Sequence, residues 1–140
     1  MSLKKPRRVM NEQDQPWLPF KDEQGNLQEQ MKNLIGKPKT PFSPNGDGLE
    51  TDGLSLHMGW LPPGGVHKYH YHEKDDANEW YYFLSGKGKV RIGDDVEEAV
   101  PGTAVYAPAG EKHGIINDGN EPLVLLFGYD HWPKTFIESE

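Results

Sequence analysis

Short runs of residues that favour β-strands recur about every ten residues over the second half of this chain, and turn-forming residues close each run. Between Leu54 and Trp60, apolar and polar residues alternate, which is the period of a strand with one buried face. The further predicted strands cover residues 79–84, 87–92, 97–100, 104–107, 114–117 and 123–129. Regular short strands of this kind predict an all-β sandwich or barrel.

The content of glycine and proline agrees with many short elements. The chain has 16 glycines and 12 prolines among its 140 residues, a fifth of the total, whereas roughly 12% is usual for the two together. A helix bundle or a coiled coil is therefore disfavoured. At this length one domain is expected, and 15 aromatic residues supply the bulk for a single core.

The first 50 residues differ from the rest in being polar and rich in proline. We predict a lead-in over residues 1–50, with short strands near 17–20 and 31–35 that add to a sheet edge or cross to a partner chain. Residues 51–130 form the predicted barrel, and residues 131–140 form a C-terminal tail. The aromatic residues around the start of this tail are expected to pack on the outer sheet or on a dimer partner.

Charge and cysteine content narrow the class of protein. The 15 basic and 22 acidic residues give a net charge of −7, and four of the basic residues form an amino-terminal tip: Lys4, Lys5, Arg7 and Arg8. Without this tip, which is expected to be solvated, the charge is −11, so a nucleic-acid partner is disfavoured. The absence of cysteine excludes disulfides, cysteine-ligated metal sites and a cysteine nucleophile. No signal peptide or membrane span is visible, and a cytoplasmic protein is expected.

Histidine is the residue type most informative about chemistry. His70 and His72 occupy alternate positions, so on a strand both imidazoles point to one face and can reach one point inside a barrel. A divalent metal is the usual reason for neutral histidines to converge in this way. His113 lies in a second turn-rich segment, and His67 lies three residues before His70.

The spacing of residues around these histidines resembles the two motifs of the cupin superfamily. The first motif is matched by Gly64, His70, His72, Glu79 and Gly86, and the second by Gly102, Pro108, Gly110, His113 and Asn117. The resemblance covers about residues 54–128 and is to small, single-domain, metal-binding cupins. It implies a cupin-type double-stranded β-helix, or jelly roll, which is a barrel of two antiparallel sheets.

The same resemblance implies one divalent transition-metal ion. Four side chains would bind it: His70, His72, Glu79 and His113. Of these, His113 is expected to enter from the opposite strand pair. Three imidazoles and one carboxylate suit Mn²⁺, Fe²⁺, Ni²⁺ or Zn²⁺, and an octahedral ion would keep two positions open for water, dioxygen or a substrate.

The loop between the second histidine and the glutamate departs from the usual motif. Six residues separate His72 from Glu79, where the family usually has three or four, and Asp76 is therefore an alternative ligand. Glu79 is preferred because it begins a predicted strand and keeps the usual distance to Gly86. Runs of charge are usually exposed, so the acidic residues of this loop, Asp76 included, are expected to be solvated.

Four further residues are candidates for the catalytic chemistry: His57, His67, Tyr81 and Tyr106. His67 is expected to be a loop residue at the surface, or alternatively a substrate contact or proton shuttle. His57 faces away from the apolar set of its strand, and which side is the interior stays open. Tyr81 shares the face of Glu79 and should point into the barrel as a core residue or a pocket wall. Tyr106 is expected to be a wall or a core residue.

Three classes of function fit a metal-binding cupin. They are a metal-dependent dioxygenase, a redox-neutral isomerase, epimerase or lyase acting on a small oxygen-rich molecule, and a non-catalytic binder of a sugar or other small ligand. An enzyme is favoured, with the oxygenase slightly ahead. The expected partners are a small-molecule substrate or ligand and a second copy of the chain, because an open barrel with edge strands and a long N-terminal arm favours a homodimer.

Overall fold

The computed structural model describes residues 7–140, so Lys4 and Lys5 of the basic tip lie outside the described residues. These residues form one short 3-10 helix and twelve strands. In chain order the strands are β1 (Leu18–Lys21), β2 (Leu27–Gly36), β3 (Leu49–Glu50), β4 (Leu56–Leu61), β5 (Val66–Tyr71), β6 (Glu79–Ser85), β7 (Gly88–Ile92), β8 (Asp95–Ala99), β9 (Ala104–Ala107), β10 (His113–Ile116), β11 (Leu123–Tyr129) and β12 (Ile137–Glu138). Strands β3, β5 and β12 are additional to those predicted.

The strands form two sheets. In the larger sheet the order is β1-β2-β4-β11-β6-β9, and β3 pairs in parallel with β2. In the smaller sheet the order is β12-β5-β10-β7-β8. The other pairings are antiparallel. The prediction of an all-β fold with two antiparallel sheets is confirmed, although the described sheets are not closed into a single barrel.

Residues before position 50 are part of the larger sheet. Strand β1 lies at its edge. The ten-residue β2 lies inside, between β1 and β4. Its register places Met31 opposite Gly59, and Met31 is buried in the core. The division of the chain at residues 50 and 130 stays a prediction.

Strand β6 illustrates how the core is built. Tyr81 and Phe83 point inward with Glu79 and are at most 2% exposed, whereas the intervening Tyr82 is 43% exposed. The inward direction predicted for Tyr81 is thus confirmed. Burying each large apolar side chain stabilises the fold by roughly 1.5–3 kcal/mol. The same interior holds Leu61, Val90, Leu123, Leu125 and Phe127.

Two glycines of the motifs hold turns that a side chain would disturb. Gly86 follows β6 with a φ of 85°, and a Cβ added there would lie 2.2 Å from the carbonyl oxygen of Pro122. Gly110 precedes β10 with a φ of 91°. Its N–H donates to the carbonyl oxygen of His72 at 2.6 Å. This second turn therefore ties the segment before His113 to the segment of His72.

Helical structure is minor in the described part of the chain. Its 3-10 helix, Glu12–Asp14, is capped by Asn11, whose side-chain oxygen accepts from the N–H of Gln13 at 2.9 Å. Within residues 7–140, no helix has the length and apolar character needed to pass through a membrane.

Candidate metal centre

Four buried side chains converge at one end of the space between the sheets. His70 lies near the end of β5, with His72 just beyond it; Glu79 begins β6 and His113 begins β10. Each side chain offers one ligand atom, and these atoms all lie within 4.8 Å of one another. All four residues are at most 1% exposed. The structure therefore brings together the four residues that the resemblance implies as metal ligands.

The position of His113 corrects one expectation. His113 does not enter from an opposite strand pair, because β10 is the neighbour of β5 and its register places His113 directly opposite His70. The side chain that crosses from the other sheet is that of Glu79 on β6. The three histidines thus approach from the smaller sheet and its continuation, and the carboxylate approaches from the larger one.

The three histidines share one pattern of hydrogen bonding. The Nδ1 of His70 lies 2.7 Å from the carbonyl oxygen of Lys68, and the Nδ1 of His113 lies 2.8 Å from that of Glu111. The Nδ1 of His72 lies 2.7 Å from the carbonyl oxygen of Thr135. A carbonyl oxygen only accepts, so each Nδ1 carries the proton and each Nε2 presents a lone pair to the cluster.

The atoms that face the centre of the cluster are poorly satisfied without a cation. The Nε2 atoms of His70 and His72 lie 3.5 and 3.7 Å from Glu79 Oε2, and neither has a hydrogen-bond partner within residues 7–140. Glu79 Oε1 also has none, while Oε2 contacts His113 Nε2. Buried acceptors without partners are costly. Three imidazole lone pairs and a carboxylate directed at one point fit a divalent transition-metal ion.

The pKa directions of His70 and Glu79 agree with this donor set; at His72 burial lowers the pKa, but the contacts with Glu79 and with the Thr135 carbonyl outweigh burial and raise it. Burial lowers the pKa of His70 to about 4, so its ring is neutral at neutral pH. Burial alone would raise the pKa of Glu79, but the surrounding rings of His113, His70 and His72 hold it well below its usual value. The cluster therefore combines a neutral ligand at His70 with a negative charge at Glu79.

The acidic loop before Glu79 is only partly solvated. Asp75 is exposed, but the side chain of Asp76 is 6% exposed and lies outside the cluster. Burial would raise the pKa of Asp76, yet hydrogen bonds from Thr135 and Lys134 lower it to about 2. The expectation that Asp76 is solvated is wrong, because its carboxylate binds the C-terminal segment. The structure places Glu79, and not this alternative, with the three histidines.

His67 has a different environment from the one expected. It lies on β5 and is 5% exposed, so the expectation of a surface loop is wrong. Its Nδ1 lies 2.8 Å from Oε1 of Glu29 on β2. Burial lowers the pKa of His67, but the Glu29 carboxylate outweighs it and raises the pKa to about 9. Glu29 is a polar partner that sequence reasoning missed.

A cavity of about 610 Å³ lies beside the cluster. His67 lines it, and its ring lies edge-on to His70 with centroids 5.1 Å apart. Glu29 and three lysines also line it: Lys21, Lys68 and Lys134. Most of the remaining wall is apolar or aromatic and includes Phe20, Met31, Phe42, Tyr129, Trp132 and Phe136. The cavity is large enough for a small organic molecule.

The other three catalytic candidates differ in burial and in their position relative to the cluster. The buried Tyr81 lies next to the cluster, with its ring 5.8 Å from that of His113. Tyr106 is 63% exposed on the outer face of β9, so the expectation of a core position is wrong for it. The reason is its register opposite Trp80, the outward neighbour of Glu79.

His57 is buried but does not line the cavity. It points inward from β4, and aromatic rings surround it, including Phe42 at 5.1 Å and Phe127 at 5.0 Å between centroids. Neither ring nitrogen has a hydrogen-bond partner in the described part of the chain, and burial lowers the pKa of His57 to about 4. His57 therefore occupies the position of a neutral core residue, and a catalytic role for it stays a prediction.

Comparisons with known proteins agree with this fold and cluster. Residues 59–129 match the family described as the cupin domain. A glucose-6-phosphate isomerase from Thermococcus gammatolerans is 43% identical over 67 residues, which are 44% of this chain and 35% of that protein. The oxalate decarboxylase OxdC of Bacillus subtilis is 29% identical over 98 residues, which are 56% of this chain and 25% of that protein. The chain thus spans about a third or less of the length of these relatives.

A solved structure extends the similarity to nearly the whole chain. The polyketide cyclase RemF from Streptomyces resistomycificus is similar with a TM-score of 0.71 at 20% sequence identity. The match covers 96% of this chain and 86% of that one. At this identity the likeness concerns the fold alone, and it confirms the predicted jelly-roll architecture.

Proposed function

Because this chain belongs to the cupin family, we propose that it is a metal-dependent enzyme that moves a proton in a small, oxygen-bearing molecule. The observation that carries the proposal is the convergence of three Nε2 lone pairs and the Glu79 carboxylate beside a cavity. The ion would be Mn²⁺, Fe²⁺, Ni²⁺ or Zn²⁺, since this mixed donor set suits all four. When bound, it would supply Lewis-acid polarisation of a substrate oxygen.

His67 and Glu29 are the proposed groups for proton transfer. The Nδ1 of His67 faces the Glu29 carboxylate, which orients the ring, and its Nε2 has no partner among the described residues. An imidazole oriented by a carboxylate is a common arrangement for a general acid or base. The pair of His67 and Glu29 supports a redox-neutral reaction rather than the dioxygenase reaction that the sequence slightly favours. The names of the relatives, an isomerase and a decarboxylase, support the same choice.

The cavity wall supports a substrate with an apolar or aromatic body. Aromatic rings such as Phe20, Phe42 and Trp132 offer contact area and few hydrogen bonds to hydroxyl groups. Lys68 Nζ is paired with Glu138 Oε1 at 3.0 Å, which leaves the ammonium group of Lys21 to attract an anionic group on the same molecule. We therefore propose a small carboxylate or keto compound with an apolar body as the substrate class.

Replacing His67 with Asn is expected to lower turnover by about 10²- to 10⁴-fold while the metal content stays unchanged, because His67 is outside the cluster. The assay incubates metal-loaded protein in D₂O with a panel of small aromatic and aliphatic hydroxy and keto carboxylates, and NMR follows loss of C–H signal or appearance of product. Glu29→Gln should also be slower, since it removes the negative charge beside the His67 ring. A reaction that consumes dioxygen in proportion to product, or wild-type rates in both variants, would contradict the proposal.

A homodimer is also proposed. Exposed apolar side chains lie together on the outer face of β6 and β9, where Tyr82 is 43%, Leu84 39% and Tyr106 63% exposed. An apolar face beside a sheet edge favours association with a second copy. Light scattering should give about twice the chain mass of 15.9 kDa, and a monomer would contradict this. A cytoplasmic location stays a prediction.

A further inference from the structure

The C-terminal segment lies directly against two of the cluster histidines. We call residues 133–138 the strap. Its Phe136 ring stacks on the His70 ring, with centroids 4.2 Å apart and an angle of 16° between the planes. Its last two residues form β12, which pairs with β5 and places Ile137 opposite Tyr71. The strap therefore adds a strand to the sheet edge beside His70 and His72.

The strap also supplies the hydrogen-bond partner of His72. The Nδ1 partners of His70 and His113 are the carbonyl oxygens of residues two positions earlier, so the local chain sets those two rings. The partner of His72 is the carbonyl oxygen of Thr135, which is 63 residues away in sequence. The orientation of His72 therefore depends on a long-range contact, in contrast to the other two.

Asp76 holds this part of the strap in place. Its carboxylate accepts from the backbone N–H of Thr135 at 2.9 Å, from the Thr135 hydroxyl at 2.6 Å and from the backbone N–H of Lys134 at 3.1 Å. The Thr135 hydroxyl oxygen in turn accepts from the backbone N–H of Glu73 at 2.9 Å. Both ends of this network lie in the loop that joins His72 to Glu79, so the loop and the strap fix each other.

We propose that Asp76 and Thr135 are positioning residues that orient His72 for metal binding. By docking the strap, they hold the Thr135 carbonyl against His72 Nδ1 and direct the Nε2 lone pair toward the cluster. The extra length of the loop between His72 and Glu79 gives the chain the carboxylate that makes this contact. This positioning role rests on the proposed metal site and assigns two residues that raise the affinity of that site for its ion.

Thr135→Val and Asp76→Asn are expected to weaken Co²⁺ binding by about 10- to 100-fold, the usual effect of losing a contact that orients a ligand. Thr135→Ser keeps the hydroxyl and should remain within about threefold of the wild type. Asp75→Asn is the control, because Asp75 is an exposed carboxylate in the same loop with a φ of 70°, which Asn tolerates. Competition with a chromogenic chelator gives the affinities, and the visible spectrum of the Co²⁺ protein reports ligand geometry.

A second measurement on the metal-free protein separates this inference from the metal site itself. Long-range ¹H–¹⁵N NMR of the imidazoles should show His72 protonated at Nδ1 in the wild type and in Thr135→Ser. In Thr135→Val, His72 should show a mixture of tautomers, with His113 unchanged. A wild type that binds no Co²⁺ overturns the proposed metal function and the effect on affinity together. Wild-type binding with affinity, spectrum and tautomer unchanged in both Thr135→Val and Asp76→Asn overturns the positioning role alone.

Discussion

Replacing Glu79 with Gln is expected to lower the affinity for a divalent transition-metal ion by more than the roughly 100-fold that loss of a supporting contact costs. Glu79 is the one anionic side chain of the four and is fully buried. The amide keeps the shape of the side chain but removes the charge and one of the acceptor oxygens. Competition with a chromogenic chelator, using protein loaded with Zn²⁺ or Co²⁺, measures the change.

The acidic loop provides two comparisons for this variant. Asp75→Asn removes one negative charge from an exposed position and should leave the affinity unchanged. Asp76→Asn should fall between the two, since Asp76 acts through the strap and not as a ligand. An Asp76→Asn protein that loses the ion while Glu79→Gln retains it would move the carboxylate ligand into the loop and contradict the assignment of Glu79.

Replacing His57 with Phe is expected to remove part of the acid sensitivity of the fold. The pKa of His57 is lowered by burial from 6.5 to about 4, so between these values the unfolded chain takes up a proton that the folded chain does not. This proton uptake has no effect on stability above pH 6.5, and it lowers the unfolding free energy as the pH falls toward 4. The expected loss from this one group is about 3 kcal/mol of unfolding free energy.

Urea unfolding at pH 7 and at pH 4.5 checks this prediction in both proteins. At pH 7 the Phe variant should be at least as stable as the wild type. The reason is that the two buried ring nitrogens of His57 have no hydrogen-bond partner among the described residues, and its neighbours include the aromatic rings of Phe42 and Phe127. At pH 4.5 the variant should be the more stable protein by a clear margin. Equal losses of unfolding free energy in the two proteins would show that His57 is not the group that titrates.

The cluster could be predicted from sequence because the features that build it are local. His70 and His72 share a face through the two-residue period of the chain, and Glu79 begins a strand whose inward residues alternate. Glycines such as Gly110 mark the turn that precedes the next strand. The spacing of residues within each motif was therefore enough to predict the four ligands, once the resemblance to a known family had indicated that the two motifs contribute to one site.

The surroundings of the cluster could not be predicted in the same way, because they depend on pairings between distant segments. Glu29 reaches His67 because β2 lies inside the larger sheet, and Thr135 reaches His72 from 63 residues away. Residue type alone did not settle which face of β4 is buried. Its apolar Met58 and Trp60 are half-buried on the outer face, while His57 points inward.

The central claim is that His70, His72, Glu79 and His113 hold one transition-metal ion, and elemental analysis tests it most directly. Protein purified without added metal or chelator should contain about one first-row ion per chain, and the same analysis of Glu79→Gln should find far less. A folded wild-type protein that contains no ion, and takes up none after incubation with Mn²⁺, Fe²⁺, Ni²⁺ or Zn²⁺, would contradict the claim.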